Sequence, residues 1–251
     1  MNLIILAAGR GRRLKSKTSL VPKPLVKFLG KSILDYQFSI ISKLKIIKPI
    51  LVLGYKYFLF KRYKFPKILN KEYSSTNMVH SLFKAKKYIN NKDLIISYSD
   101  IVYSKDILQN LIKKKGDIVV AIDKNFKKYW IKRFKNPLND VESCEIKNNQ
   151  ILNLGNKVNT FKGIDGQYIG LIKLSSKGSK IFCKVYSDLK KRDKNSLKKM
   201  YMTDFLQILI NRGYKLTPLN FKSPWIEFDN QNDLKNNEHK KRLIKILNMK
   251  V

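Results

Sequence analysis

The stretch LAAGRGRRLKSKTSLVPKPL, Leu6 to Leu25, decides how the chain is read. It continues an apolar run, Asn2 to Ala7, that has the length of one buried strand. Gly9 and Gly11 then mark the passage from strand to turn. Glycine permits the φ values and the close backbone approach that a phosphate-cradling nest of amides requires. A dinucleotide fingerprint needs a third glycine three residues after Gly11, where Leu14 stands. A Walker loop needs Gly-Lys-Ser/Thr, which is absent. Arg10, Arg12 and Arg13 supply bidentate donors suited to a polyphosphate, and Lys23 adds a point charge held between Pro22 and Pro24. Local chemistry leaves open the plain alternative, a basic turn on a solvated face.

Outward from this loop, strand-length apolar runs alternate with amphipathic stretches. Ile33 to Lys43 places Ile33, Leu34, Phe38 and Ile41 at helical spacing, and Pro49 to Leu53 reads as the next strand. Helices are expected over Met78 to Ile89 and Lys105 to Lys114, with strands over Asp93 to Ser97 and Asp117 to Ile122. This rhythm predicts an α/β fold, a mostly parallel sheet with helices on both faces. The pattern changes after about Lys124. Glu142 to Ile146 and Gln150 to Leu154 flank an Asn-Asn turn and read as a hairpin, followed by a strand over Gln167 to Leu174. Helices are then expected over Ser175 to Leu189 and Tyr201 to Arg212, strands over Lys215 to Leu219 and Trp225 to Phe228, and a basic helix over Asn232 to Asn248. No repeat or low-complexity linker divides the chain, so one domain over residues 1–251 is expected.

With 251 residues and 43% hydrophobic side chains, the chain can bury one sizeable core. It contains no uncharged apolar stretch of about 18 residues and no signal-peptide pattern, so a soluble cytoplasmic protein is expected. Cys144 and Cys183 lack metal-ligand or CxxC spacing and read as two buried thiols. The formal charge of +35 suggests a polyanionic partner. Lysine, however, is spread over nearly every segment and travels with Asn and Ile, as a compositional bias would. No zinc-finger, RNP-like or helix-turn-helix pattern supplies a reading element, so specific nucleic-acid recognition is not expected.

Leu6-Ala7-Ala8-Gly9-x-Gly11-x-Arg13-Leu14, followed by Pro22-Lys23-Pro24-Leu25-Val26, resembles the signature of the sugar-phosphate nucleotidyltransferase superfamily, usually LAAGxGxRL and then PKPL. Arg12 departs from it, since Ser or Thr commonly stands there. The resemblance implies a Rossmann-like mixed sheet and a nucleoside triphosphate held by Leu6, Ala7, Ala8, Gly9, Gly11, Arg12 and Arg13. It further implies two catalytic cations, Arg13 for the β and γ phosphates and Lys23 for the α phosphate and the acceptor phosphate.

Tyr73-Ser74-Ser75-Thr76-Asn77-Met78-Val79-His80-Ser81-Leu82 joins an expected strand to a helix, where Ser, Thr and Asn are natural caps. The run also resembles the Thr-Asn-(Asn/Met)-x-x-Ser-Leu segment of the choline-phosphate cytidylyltransferase branch, which implies that Thr76, Asn77 and Ser81 lie against the base. His80 reads as a cap or a packed side chain. Asp100 stands just past the end of the Asp93 to Ser97 strand, at the edge where open α/β sheets bind ligands. Trp225-Ile226-Glu227-Phe228-Asp229 repeats the arrangement, with Glu227 and Asp229 on one strand face. Asp100 and Asp229 form a plausible Mg²⁺ clamp, with Glu227 as a third ligand; capping of the last helix is the alternative for Asp229. The superfamily's two metal-binding aspartates fall in matching motifs.

The same branch encloses its acceptor between about residues 125 and 214, which implies a small β-rich acceptor-binding insertion in a nucleotide-binding core of residues 1–124 and 215–251. Lys23, Trp130, Arg133, Gln167, Tyr168, Tyr201 and Asp204 are the expected acceptor contacts. Glu often stands where Gln167 is, and the lost negative charge weighs against a quaternary ammonium, although Tyr129, Trp130, Tyr168, Tyr201 and Trp225 offer an aromatic cage. Core packing is the alternative for each of these aromatics. The wording SYSDIVY, KRFKNPLND, QYIGL and YMTDFLQ resembles the subgroup acting on phosphorylated glutamine in capsule modification. That subgroup implies an amino-acid-like acceptor met by Arg133, Asp204 and Lys132.

The expected reaction is Mg²⁺-dependent transfer of CMP from CTP to a small phosphorylated or phosphonylated acceptor, with release of pyrophosphate. A phosphomonoester, with a second pKa of about 6, is already largely dianionic at neutral pH and needs no general base. One alternative is a sugar-1-phosphate nucleotidyltransferase using UTP or dTTP; another is a non-catalytic basic protein that binds RNA or membranes. The oligomeric state is open, a homodimer included.

Overall fold

Asn2–Ala7 forms β1, and its period-two alternation sends Leu3, Ile5 and Ala7 to one face and Ile4 and Leu6 to the other. Both faces are buried, the mark of a central strand in a layered α/β protein. The chain, a computed structural model describing residues 1–248, builds both layers around this strand. The further strands are β2 (Lys27–Phe28), β3 (Lys31–Ser32), β4 (Lys48–Leu53), β5 (Lys67–Leu69), β6 (Leu94–Tyr98), β7 (Ile101–Tyr103) and β8 (Ile118–Asp123). After them come β9 (Glu142–Lys147), β10 (Gln150–Lys157), β11 (Gln167–Leu174), β12 (Leu216–Phe221) and β13 (Trp225–Glu227). The first helices are α1 (Lys17–Leu20), α2 (Ile33–Ile41), α3 (Met78–Lys84), α4 (Lys86–Ile89) and α5 (Lys105–Lys113). They are followed by α6 (Phe126–Arg133), α7 (Ser176–Arg192), α8 (Lys194–Lys199), α9 (Met202–Asn211) and α10 (Asn237–Leu247).

The main sheet has seven strands in the order β12-β8-β11-β6-β1-β4-β5. Every neighbouring pair is parallel except those made by β11, which runs antiparallel between β6 and β8. The expected Rossmann-like mixed sheet is thus present. One core, with Leu3, Ile5, Ile33, Leu34, Leu108 and Tyr129, fills the side covered by α2, α5, α6 and α10. The other, with Ile4, Leu6, Leu82, Phe182 and Phe205, fills the side of α3, α7 and α9. Each fully enclosed Leu, Ile or Phe contributes about 1.5–3 kcal/mol against exposure, so these two layers dominate the stability of the framework.

Two expectations about helices are corrected. The stretch Met78 to Ile89 is two helices, because Ala85, at φ −91° and ψ 21°, closes α3. The stretch Asn232 to Asn248 opens as a 3-10 turn, Gln231–Leu234, and α10 starts only after Asn236, whose side chain caps the Glu238 N–H. Within residues 125–214, β11 is part of the main sheet, while the β9–β10 hairpin lies against α9 and β12. At Gly170, with φ 81°, the β11 register shifts between Tyr168 and Ile172. A Cβ there would come within 2.5 Å of the Tyr98 ring, so the bulge depends on glycine. Cys144 and Cys183 are buried free thiols.

Candidate active site

Parallel pairing of β1 with β6 sets Leu6 beside Tyr98. The loop leaving β1 and the loop leaving β6 therefore emerge together at the carboxyl edge of the sheet, where ligands collect in open α/β folds. The β6 loop carries Asp100. A separate two-stranded ribbon brings the distant second acid: β13 pairs antiparallel with β7, Glu227 opposite Ile101, and the Phe228 N–H donates to the Asp100 carbonyl at 2.9 Å. Asp229 is delivered next to Asp100 by this ribbon.

Lys23 reaches the two acids from the other side. Its Nζ donates to Asp100 Oδ2 at 2.6 Å and to Asp229 Oδ1 at 3.3 Å, while Arg13 Nη1 lies 2.7 Å from Asp229 Oδ2. Burial alone would lower the Lys23 pKa, but Asp100, Asp229 and Glu227 outweigh it and hold the ammonium above the usual lysine range. Gly11, in the left-handed region at φ 76°, makes this approach possible: a Cβ there would sit 2.5 Å from Lys23 Cβ. The Thr18 hydroxyl, donating to the Gly11 carbonyl at 3.0 Å, fixes the loop from behind.

A cavity of about 200 Å³ opens in front of the loop, lined by Leu6, Ala8, Gly9, Gly11, Arg13, Lys23, Thr76, Asn77, Ser81 and Asp100. These are the expected nucleotide contacts with two exceptions. Ala7 is buried in the sheet, and Arg12 faces a different hollow with Arg10 and Tyr55. Asn77 caps α3 through its Oδ1 on the Met78 N–H, and its own N–H donates to the Lys198 carbonyl. Asn70, fully buried and unmarked by any sequence motif, organises this segment by donating to Thr76 Oγ1 at 2.9 Å and to Ser81 Oγ at 3.0 Å.

A second cavity of about 200 Å³ adjoins the first across Arg13, Met78 and Tyr98. Of the expected acceptor contacts, Trp130, Gln167, Tyr168 and Tyr201 line it, whereas Lys23 lines only the first cavity; Glu227 and Asp229, expected as metal ligands, also line it, together with Asp140 and Glu142, which sequence reasoning missed. Gln167 spends its amide on the neighbouring strand: its Oε1 accepts from the Glu142 N–H at 3.0 Å, and its Nε2 donates to the Glu142 carbonyl. The negative charge absent at position 167 thus stands on the residue that Gln167 holds. Burial and the nearby carboxylates of Asp140, Glu227 and Asp204 push the Glu142 carboxyl up to about 7. No sequence motif marks Glu142, the first residue of β9.

Four expected contacts fall elsewhere. The Arg133 side chain is fully buried, with Nε 2.8 Å from Asp233 Oδ1, Nη2 2.9 Å from Asp233 Oδ2 and Nη1 2.7 Å from Glu227 Oε2. A guanidinium spent in this way is a brace, not an acceptor contact. It also holds Glu227, the expected third metal ligand, so the acids facing Lys23 are Asp100 and Asp229; among the described residues no three acids, His or Cys converge as a metal cage. Lys132 pairs with Glu238 on the surface, and Asp204 accepts from the Tyr201 N–H as a cap of α9. Tyr129 is buried and hydrogen-bonded to His239, so it takes no part in an aromatic cage. His80 is packed against Glu72, as its position at a helix start suggests.

Among the described residues no helix is long and apolar enough to cross a membrane. Residues 3–147 match the family of MobA-like NTP transferase domains. The CTP:phosphoglutamine cytidylyltransferase of Campylobacter jejuni is 38% identical over 247 residues, covering 93% of this chain and 98% of that protein. Among solved structures, the inositol-1-phosphate CTP transferase of T. maritima superposes with a TM-score of 0.76 at 20% identity, covering 100% of this chain and 97% of that one. The CTP:phosphocholine cytidylyltransferase of Streptococcus pneumoniae gives 0.68 at 18% identity, covering 96% and 98%. The fold, the glycine loop and these matches together make the chain a member of the MobA-like NTP transferase family and a nucleotidyltransferase.

Proposed function

We propose that the chain transfers CMP from CTP to a small phosphorylated acceptor bearing a cationic group, as phosphorylated glutamine does, and releases pyrophosphate. The observation that carries this reading is the Lys23 ammonium held between Asp100 and Asp229, at the junction of the glycine-loop cavity and the acidic, aromatic one. The division of labour follows: residues 1–124 and 215–251 supply the nucleotide site, and 125–214 supply Trp130, Glu142, Gln167, Tyr168 and Tyr201 to the acceptor wall. The relative from Campylobacter jejuni, matched over nearly its whole length, supports CTP and phosphoglutamine as the substrates.

The acceptor phosphate attacks the α phosphorus in line with departing pyrophosphate. Arg13 and the amides of the Gly9–Gly11 turn take the β and γ phosphates, and Lys23 spans the acceptor phosphate and the α phosphate. Its ammonium, now donating to two carboxylates, meets the same acceptor chemistry in phosphate oxygens. Thr76, Asn77 and Ser81 border the base. Glu142, with Tyr168 and Trp130 beside it, takes the positive group of the acceptor.

Asp100 and Asp229 would hold Mg²⁺. Their all-oxygen donor set suits it, and Asp100 Oδ1 is a buried oxygen without a hydrogen-bond partner among the described residues, which fits a cation's ligand. Bound there, the ion supplies charge neutralisation and alignment of the phosphates. On the resemblance already noted, we assign the reaction to the cytoplasm and to modification of capsule or surface polysaccharide.

The deciding experiment is pyrophosphate release from each of the four NTPs with phosphorylated glutamine, phosphocholine, phosphoethanolamine and sugar 1-phosphates. CTP with an amine-bearing acceptor is expected to dominate. Turnover confined to UTP or dTTP with a sugar 1-phosphate would overturn the proposal.

A further inference from the structure

On the far side of the segment carrying Thr76, Asn77 and Ser81 lies a larger cavity of about 700 Å³, between α3, α7 and α8. It shares no lining residue with the two cavities of the active site. Lys84, Lys86, Lys190, Lys191, Lys194 and Lys198 make up half of its twelve lining residues. They come from four elements, α3, α4, α7 and α8, and converge on one hollow. Phe83 and Tyr186, stacked with ring centroids 3.7 Å apart, form its apolar floor.

One carboxylate answers these charges. Glu72 Oε2 lies 2.7 Å from Lys84 Nζ and 3.1 Å from His80 Nε2, and Oε1 lies 2.8 Å from Lys198 Nζ. Lys86, Lys190, Lys191 and Lys194 form no ion pair with any described residue, and a concave wall concentrates their field. Glu72 occupies the place an incoming anion would take. It is also tied to the active site, because its carbonyl accepts from Thr76 Oγ1 at 2.8 Å. On the opposite wall, α8 is joined to the same segment by the Asn77 N–H on the Lys198 carbonyl at 2.8 Å.

We propose that this cavity is a regulatory site for a small phosphorylated polyanion, which displaces the Glu72 carboxylate from Lys84 and Lys198 and so shifts the Thr76–Ser81 segment. The binding half of the proposal stands on the cavity alone; the effect on CTP rests on the reading that this segment borders the base. A concave hollow of this size with an aromatic floor fits a small molecule better than an extended nucleic-acid backbone.

The test is calorimetric titration of the full chain with inorganic tripolyphosphate in about 0.15 M salt, where diffuse surface attraction is screened. Two binding events are expected: one lost in Lys23→Ala, the other weakened about tenfold or more in the double variant Lys190→Glu/Lys194→Glu. Both of those lysines are exposed, so that variant keeps its fold and its kcat and CTP KM in the absence of tripolyphosphate. Tripolyphosphate alters the wild-type CTP KM beyond simple competition, and this excess effect vanishes in the double variant. A single event lost with Lys23→Ala, unchanged binding in the double variant, or a second event absent at this salt would overturn the site; the last marks general attraction for polyanions such as RNA. A retained second event in a protein that transfers no CMP would instead sink the proposed function and leave the site standing.

Discussion

The Lys23 ammonium lies 2.6 Å from Asp100 Oδ2, although 77 positions separate the two residues. The contact joins the glycine loop to the β6 loop, and Asp229 completes it from the β13 ribbon. Two carboxylates share this cation at the edge of the buried sheet, so neither has a role in the hydrophobic framework that another residue could not fill.

Asp100→Ala and Asp229→Ala are therefore expected to abolish turnover while leaving the fold intact. Pyrophosphate release checks the first half of this expectation, and circular dichroism with thermal melting the second. Full activity in either variant would remove that carboxylate from the reaction.

Gly11→Ala tests the loop rather than the charges. The new Cβ strains a left-handed φ of 76° and collides with Lys23 Cβ at 2.5 Å. The backbone strain alone costs about 1–2 kcal/mol, and relief requires moving Lys23. We expect a large fall in kcat with only a modest fall in melting temperature. The control is Gly9→Ala, where a Cβ meets nothing within 4 Å and φ is ordinary; it should retain far more activity.

The contrast between Lys23 and Arg133 explains how much of the site the sequence revealed. The glycine loop and Lys23 were legible because their ordered motifs resemble a known signature, and Asp100 because it stands just past the buried strand β6. Asp229 was reachable because alternation along β13 is local. Arg133 was misplaced because a charged residue at a helix end looks like a surface contact until tertiary packing closes over it; nothing local announces Asp233 and Glu227 as its partners. Asn70 and Glu142 were missed for the same reason, since their importance comes from neighbours on other elements. The antiparallel entry of β11 was equally hidden, because a buried strand reads the same in either direction.

The Arg133 brace makes a stability prediction. Removing the guanidinium leaves the Asp233 and Glu227 carboxylates without their shared partner, and breaking a buried pair in this way costs about 3–5 kcal/mol. Arg133→Ala should unfold at a clearly lower denaturant midpoint. Arg133→Lys should recover only part of the loss, because an ammonium lacks the fork that engages Asp233 through Nε and Nη2 while Nη1 holds Glu227. Equal stability of all three proteins would contradict the brace.

Glu142→Gln should raise the KM of an amine-bearing acceptor several-fold, with kcat and the CTP KM little changed. In the wild type the carboxyl, pushed up to about 7, is largely protonated at pH 6 and largely ionised at pH 8. Acceptor KM should therefore fall as pH rises through this interval. The acceptor phosphate titrates nearby, so the informative quantity is the ratio of wild-type to variant KM at each pH. A ratio independent of pH would show that Glu142 does not meet the positive group.

His239 gives the pH dependence of folding. Its Nδ1–H donates to the Asp233 carbonyl at 2.9 Å, and its Nε2 accepts from the Tyr129 hydroxyl at 2.7 Å, while that hydroxyl's oxygen accepts the Glu227 N–H at 3.2 Å. The chain of donors fixes the neutral tautomer, and burial drives the imidazole pKa down to about 4. Unfolded, the same ring titrates at about 6.5, so between these values the unfolded chain binds the extra proton. Its contribution to stability is complete above pH 6.5 and is lost as pH falls toward 4, on the order of 3 kcal/mol in all. The raised carboxyls of Glu142 and Glu227 act with the opposite sign over part of this range. The measurement is therefore the difference between wild-type and His239→Asn stability from urea unfolding at pH 4.5, 5.5, 6.5 and 7.5. It should shrink steadily on acidification, and a difference that stays flat would mean that the ring is not held neutral in the fold.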